Sequence, residues 1–198
     1  APNLIKFFPR LKHLESKEVH PKIDKSWLAP VLSVCSQLEK LVLVVSEKEI
    51  PAFVSALGDL RSLVELDFTI SPYWDIRLPD IFCTFHFPDL ERLEIPFVVY
   101  GADLTALATF LERHPKLTHL GITFAEDVDF AQSWEMISKC PALIYLDRRD
   151  QSDVDEPKVE NLPPTLRHIR WIDSYDVVED PVFSYDHRLT YFQDDLEF

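Results

Sequence analysis

Phe87-Pro-Asp-Leu-Glu-Arg-Leu-Glu-Ile-Pro-Phe97 and His114-Pro-Lys-Leu-Thr-His-Leu-Gly-Ile-Thr-Phe124 are two versions of one phrase, 27 residues apart. Each has a proline that stops a helix and then Leu-x-x-Leu-x-Ile, whose alternating apolar residues have the two-residue period of a strand with one buried face. A repeat of this length supplies one strand and one return segment per turn, as in a solenoid. Taking the first leucine as a marker, copies fall at Leu11, Leu38, Leu63, Leu90, Leu117, Leu143 and Leu166, in steps of 27, 25, 27, 27, 26 and 23. A degenerate eighth begins at Leu189, where Asp194 stands in place of an aliphatic residue. The fold expected is α/β: an open arc of about 7–8 repeats, with a parallel sheet on the concave side and helices or irregular crossings on the convex side.

The core-facing pairs are Leu41 and Leu43, Leu66 and Phe68, Leu93 and Ile95, Leu120 and Ile122, Ile169 and Trp171. Between motifs the best helix runs over 103–113, with Leu104, Leu107 and Leu111 as its stripe, Asp103 as its cap and Arg113 in its last turn. A sibling spans 129–139, with Phe130, Trp134 and Ile137 inward and Asp129 with Gln132 as a capping pair. Shorter helices are expected over 51–57, with Pro51 in the first turn, and over 27–35, where Pro30 starts or kinks the helix. The aromatic stretch 71–85 reads as an irregular loop with one helical turn, and 150–164 as an extended crossing. Cys35 and Cys140 share a repeat position at the helix-to-strand corner, where a small buried apolar residue fits.

At 198 residues and 46% hydrophobic content the chain buries its own core, and residues 1–198 form a single domain, less regular over 150–198. Three widely spaced cysteines and no Asn-x-Ser/Thr acceptor point to a cytoplasmic or nuclear setting. The net charge of −14 disfavours nucleic acid and membrane surfaces and favours a basic partner. From Asp147 onward 14 acidic residues face 6 basic ones, so this quarter carries −8 of the total. The run Asp173–Asp180 lacks the glycine and the ligand spacing of a calcium loop and reads as a solvated acidic face. The chain has three glycines and none of the usual hydrolase, nucleotide or metal motifs, so no catalytic, cofactor or metal site is expected. His13, His119 and His168 share one repeat position, but intervening strands separate them as zinc ligands. Ala1 at the start and Met136 as the single methionine suggest that a cap or an effector module lies upstream.

Repeats of 23 to 27 residues, led by Cys-Pro or Phe-Pro into Leu-x-x-Leu-x-Leu, resemble the leucine-rich repeats of F-box proteins, especially the divergent fungal kind. The resemblance spans nearly the whole chain. It departs from the extracellular leucine-rich pattern, since neither Asn3 nor Asn161 stands after a strand to build an asparagine ladder. The family implies a substrate-recognition role in a ubiquitin ligase, with an F-box upstream that docks the ligase adaptor; no helical box of that kind is visible in this sequence. The alternatives are a leucine-rich-repeat regulator or assembly scaffold unrelated to ubiquitin, of the GTPase-activator kind, and more distantly a hydrolase.

If the second leucine of each motif points inward, its neighbours form two lanes on the concave face. One runs His13, Lys40, Glu65, Arg92, His119, Tyr145, His168, Tyr191; the other runs Glu15, Val42, Asp67, Glu94, Gly121, Asp147, Arg170, Gln193. Glu65, Asp67, Glu94 and Asp147 make an acidic band beside Arg92, His119 and Tyr145, suited to a Lys/Arg-rich segment of a partner protein. Tyr145 would be its aromatic anchor and Arg92 would fix its register, with His168 and Arg170 continuing the surface.

Overall fold

The computed structural model describes residues 5–16, 28–70, 77–78, 80, 82–150 and 162–173. Its strands are β1 (His13–Ser16), β2 (Lys40–Val45), β3 (Glu65–Ile70), β4 (Arg92–Val99), β5 (His119–Phe124), β6 (Tyr145–Asp150) and β7 (His168–Asp173). The helices are α1 (Leu28–Leu32), α2 (Ile50–Leu57), α3 (Leu104–Glu112) and α4 (Phe130–Ile137). All seven strands form one open sheet in chain order, and every neighbouring pair is parallel. The chain therefore returns to the same edge after each strand, a solenoid-like arrangement.

Register follows the sequence motif. Leu14, Leu41, Leu66, Leu93, Leu120, Leu146 and Ile169 occupy one row across the sheet. From Leu41 to Leu146 this row is buried, as are the marker residues Leu38, Leu63, Leu90, Leu117 and Leu143 behind it. The helices close the core from that side: Phe53 of α2 meets Phe68 at 5.0 Å, and Phe110 of α3 meets Phe82 at 5.5 Å. Leu104, Leu107 and Leu111 are buried on α3, as are Trp134 and Ile137 on α4. Full burial of each such side chain contributes about 1.5–3 kcal/mol, so the aligned row is the main source of cohesion between turns.

Turns are also stitched by backbone. The carbonyl just before each strand accepts two N–H groups from the next turn: Glu39 O from Val64 and Glu65, Val64 O from Glu91 and Arg92, Glu91 O from Thr118 and His119. Lys12 O, Thr118 O and Ile144 O do the same, which stands in place of an asparagine ladder. Cys35 and Cys140 are fully buried at their corners, and burial pushes the Cys140 thiol up to about 12. His114 occupies the matching corner before β5. The Phe87 N–H donates to its Nε2 at 2.9 Å, so its proton sits on Nδ1, which donates to Phe110 O at 2.6 Å. Burial pushes this imidazole down to about 4, and it stays neutral as a clip between turns.

Several details depart from expectation. The helices over 103–113 and 129–139 are shorter at both ends, and in place of 27–35 the described helix is Leu28–Leu32, with Pro30 in its middle. Asp129 caps α4 as expected, accepting from Ala131 and Gln132 N–H at 2.8 and 3.2 Å. Asp103 does not cap α3. It closes a 3-10 turn over Gly101–Asp103, accepting from Tyr100 N–H at 3.2 Å and from Arg77 Nη2 at 2.6 Å. Arg113 follows α3 and donates to Thr109 O at 3.2 Å. β4 carries a bulge: Glu94 pairs with Gly121 but Val98 with Thr123, and Pro96, which has no N–H for a ladder, falls inside the irregular stretch. Arg77 bridges to Val98 on the far side, so the part of 71–85 that is described lies against this bulge, with a 3-10 turn at Phe82–Thr84. The crossing over 150–164 beyond its described ends, the run at Asp173–Asp180 beyond Asp173, and the eighth repeat with Tyr191 and Gln193 lie outside the described residues.

Candidate functional site

The face opposite the core row carries both lanes. His13, Lys40, Glu65, Arg92, His119, Tyr145 and His168 are register partners in the first; Glu15, Val42, Asp67, Glu94, Gly121, Asp147 and Arg170 are in the second. Alternation along each strand puts both lanes on one side, as adjacent residues of a pleated strand point to opposite faces.

In the first lane, charges alternate across β2–β4. Glu65 is held by Lys40 at 2.9 Å and lies 3.8 Å from Arg92 Nε. Beyond Arg92 the lane becomes a column of rings. His119 stacks on Tyr145 with centroids 4.3 Å apart and planes within 14°, and Tyr145 stacks on His168 at 4.4 Å and 10°. Strand spacing of ~4.8 Å suits ring stacking, so three planar side chains at one repeat position line up face to face. Tyr145 is nevertheless 41% exposed, and among the described residues it is the large hydrophobic side chain that stands out to solvent.

His119 is half-buried; burial and the nearby Arg92 both lower its pKa. Its Nδ1 lies 2.8 Å from Thr118 Oγ1, whose own proton goes to Glu91 O at 3.0 Å. The imidazole therefore carries its hydrogen on Nδ1, and Nε2 is an acceptor in the neutral form.

The second lane contains the carboxylates. Asp147 makes a close ion pair with Arg170 and is the more buried member, its side chain 12% exposed against 37%. Asp67 and Glu94 are half-buried. Glu94 leans across to β5, because Gly121 has no side chain: a Cβ there would meet Glu94 Oε2 at 1.7 Å. Glycine in this strand therefore gives the Glu94 carboxylate its place.

The structure thus brings all nine candidate residues onto one face: Glu65, Asp67, Arg92, Glu94, His119, Tyr145, Asp147, His168 and Arg170. Sequence reasoning missed their pairing. The acidic band is partly neutralised from within by Lys40, Arg92 and Arg170, which a count of carboxylates does not reveal. The ring column was legible in the alignment of His119, Tyr145 and His168 at one repeat position. Among the described residues no group of three or more His, Cys, Asp or Glu is placed to hold a metal ion, and no helix is long and apolar enough to cross a membrane. Compared with known proteins, the sequence matches no protein-family model and no curated protein.

Proposed function

We propose that this chain is a protein-interaction scaffold built from leucine-rich repeats, the substrate-recognition part of an F-box-like ubiquitin ligase subunit, whose open sheet face holds a segment of a partner protein. The observation that supports binding is the ordered face itself: two lanes across parallel strands, the first made throughout of polar and aromatic side chains, with Tyr145 exposed in the middle of a ring column. Buried aromatic anchors surrounded by polar groups are the usual centre of a protein interface. A Lys/Arg-rich part of the segment lies along the acidic band of Glu65, Asp67, Glu94 and Asp147, with Tyr145 as its aromatic anchor and Arg92 fixing its register. The ubiquitin role rests on the repeat resemblance and requires an F-box elsewhere in the protein.

The test is to capture a partner with the wild-type chain and measure its affinity for Asp67→Lys, Glu94→Lys and Tyr145→Ala, with Glu112→Lys as the control. Glu112 lies on α3 and pairs with Lys139 at 3.4 Å, away from the face. The three face variants should bind at least about tenfold more weakly, the effect of a lost interface anchor of about 1.4 kcal/mol. Wild-type binding by all three, with weakening in Glu112→Lys, would move the site to the helical side. Copurification of a ligase adaptor with the full-length protein tests the ubiquitin role separately.

A further inference from the structure

Three histidines share one lane of the open face. His13, His119 and His168 stand at the same repeat position, and Tyr145 lies between the last two with its ring nearly parallel to both. While these imidazoles are neutral, the two lanes are close to electrical balance. Their cations are Lys40, Arg92 and Arg170, and their carboxylates are Glu15, Glu65, Asp67, Glu94 and Asp147, which leaves −2 on the described face. Three added protons turn that into +1. The carboxylates keep their charge meanwhile, because they titrate about two pH units below histidine.

The surroundings of each histidine allow this. His119 is packed between Arg92 of β4 and Tyr145 of β6, with Glu65 and Glu91 as the nearby carboxylates. Its Nδ1 is engaged by Thr118 Oγ1 at 2.8 Å, so the added proton goes to Nε2. Burial and Arg92 oppose that proton while Glu65 and Glu91 favour it, and His119 takes it up below the ordinary histidine range. His168 is exposed on β7, between Tyr145 and the edge of the described sheet, with the Asp147–Arg170 ion pair two residues further along the strands. His13 is exposed beside Lys40 of β2, with Glu15 on its own strand. Once charged, His119 and His168 place a cation over each face of the Tyr145 ring, an attractive arrangement. The column therefore changes charge without having to come apart.

We infer that the open face is a pH-reversible binder, which holds the basic segment of its partner while His13, His119 and His168 are neutral and releases it as they take up protons. This rests on the reading of the face as the seat of a Lys/Arg-rich segment and adds its regulation. The sign follows from linkage: a bound basic segment opposes protonation, so the histidines have a lower pKa in the complex than in the free chain. Affinity is then complete above the histidine range of the free chain and is lost as pH falls through it. Reciprocally, binding at about pH 6 expels protons from the face.

The test is calorimetric titration with a synthetic decalysine peptide at fixed ionic strength, at about pH 7.5, 6.5 and 5.5. This range lies above the value of about 4 to which the buried His114 is pushed, and circular dichroism at each pH checks that the chain is folded. The wild type is compared with the triple variant His13→Gln, His119→Phe, His168→Phe, which keeps three stacked rings without titratable nitrogens. A second triple variant with Gln at all three positions covers the case in which Phe disturbs the sheet. His86→Gln is the control, since His86 is exposed beside His114 at a corner outside the lanes. Wild-type affinity should fall at least about tenfold across the range, with proton release seen in buffers of different ionisation heat. His86→Gln should show the same fall, and the triple variants about threefold or less. An equal fall in wild type and triple variants, or none in the wild type, would overturn the switch and leave the binding face standing. Undiminished binding at neutral pH by Asp67→Lys and Glu94→Lys would put the peptide elsewhere and overturn both, as would absence of binding at every pH.

Discussion

Two successive turns fill one core position in opposite ways. Ile122 on β5 and Arg148 on β6 are register partners, and both are buried, at 0% and 1% exposure. Ile122 packs as an aliphatic residue does. Arg148 places its guanidinium 4.8 Å from the Phe124 ring centroid and 5.1 Å from that of Trp134, and its Nη1 donates to Ser133 Oγ at 2.9 Å. Ser133 and Trp134 belong to α4 and Phe124 to β5, so one side chain ties three elements together. The repeat fixes where a side chain is buried, and the neighbours decide what can be buried there. Two ring faces and a hydroxyl are among the groups that receive the cation, which an aliphatic pocket would reject.

The largest effect should come from breaking that site. Arg148→Ala leaves the hydroxyl and both rings around a void and should cost about 3–5 kcal/mol in denaturant unfolding. A loss below about 1 kcal/mol for Arg148→Ala would show that the guanidinium is not enclosed. On the aliphatic side, Leu120→Ala in the middle of the core row should cost roughly 2–5 kcal/mol, and a loss under about 1 would place the inward register in doubt. A smaller effect is expected from acid. His114 has its folded pKa pushed from 6.5 down to about 4, so its contribution to stability is complete above pH 6.5 and is lost as pH falls towards 4. Melting temperature should fall across this window more steeply in the wild type than in His114→Gln; parallel profiles would contradict a neutral buried imidazole. Least of all, Gly121→Ala should change stability by only about 0.5 kcal/mol, since the group it meets is the far end of a flexible side chain, yet it should turn the Glu94 carboxylate out of place and alter partner affinity.

The strands, their order and both lanes could be read in the sequence because a two-residue period and a recurring leucine encode direction and register at once. Arg148 could not be read that way: Leu146-Asp-Arg-Arg-Asp150 looks like a leucine followed by a polar run. Counting two residues on from Leu146, to the position of Ile122, would have exposed it. Asp103 was misread for a related reason, since its partner Arg77 comes from an irregular connection that no periodicity describes. On the open face, position was legible and pairing was not. Whether Glu65 faces a partner or leans on Lys40 depends on side-chain torsions, which the repeat leaves open.

The doubly accepting carbonyl before each strand has a consequence for how such a chain can change length. Glu91 O and Thr118 O hold the next turn in the same way, and the residues that follow them, Arg92 and His119, begin strands at the same register position. Cutting the chain after Glu91 and rejoining it at His119 would remove one whole turn between equivalent joints, and copying that stretch would add one. Genetic gain or loss of a repeat is thereby a change of span rather than a change of fold, as each described strand pairs with the one before it and the one after.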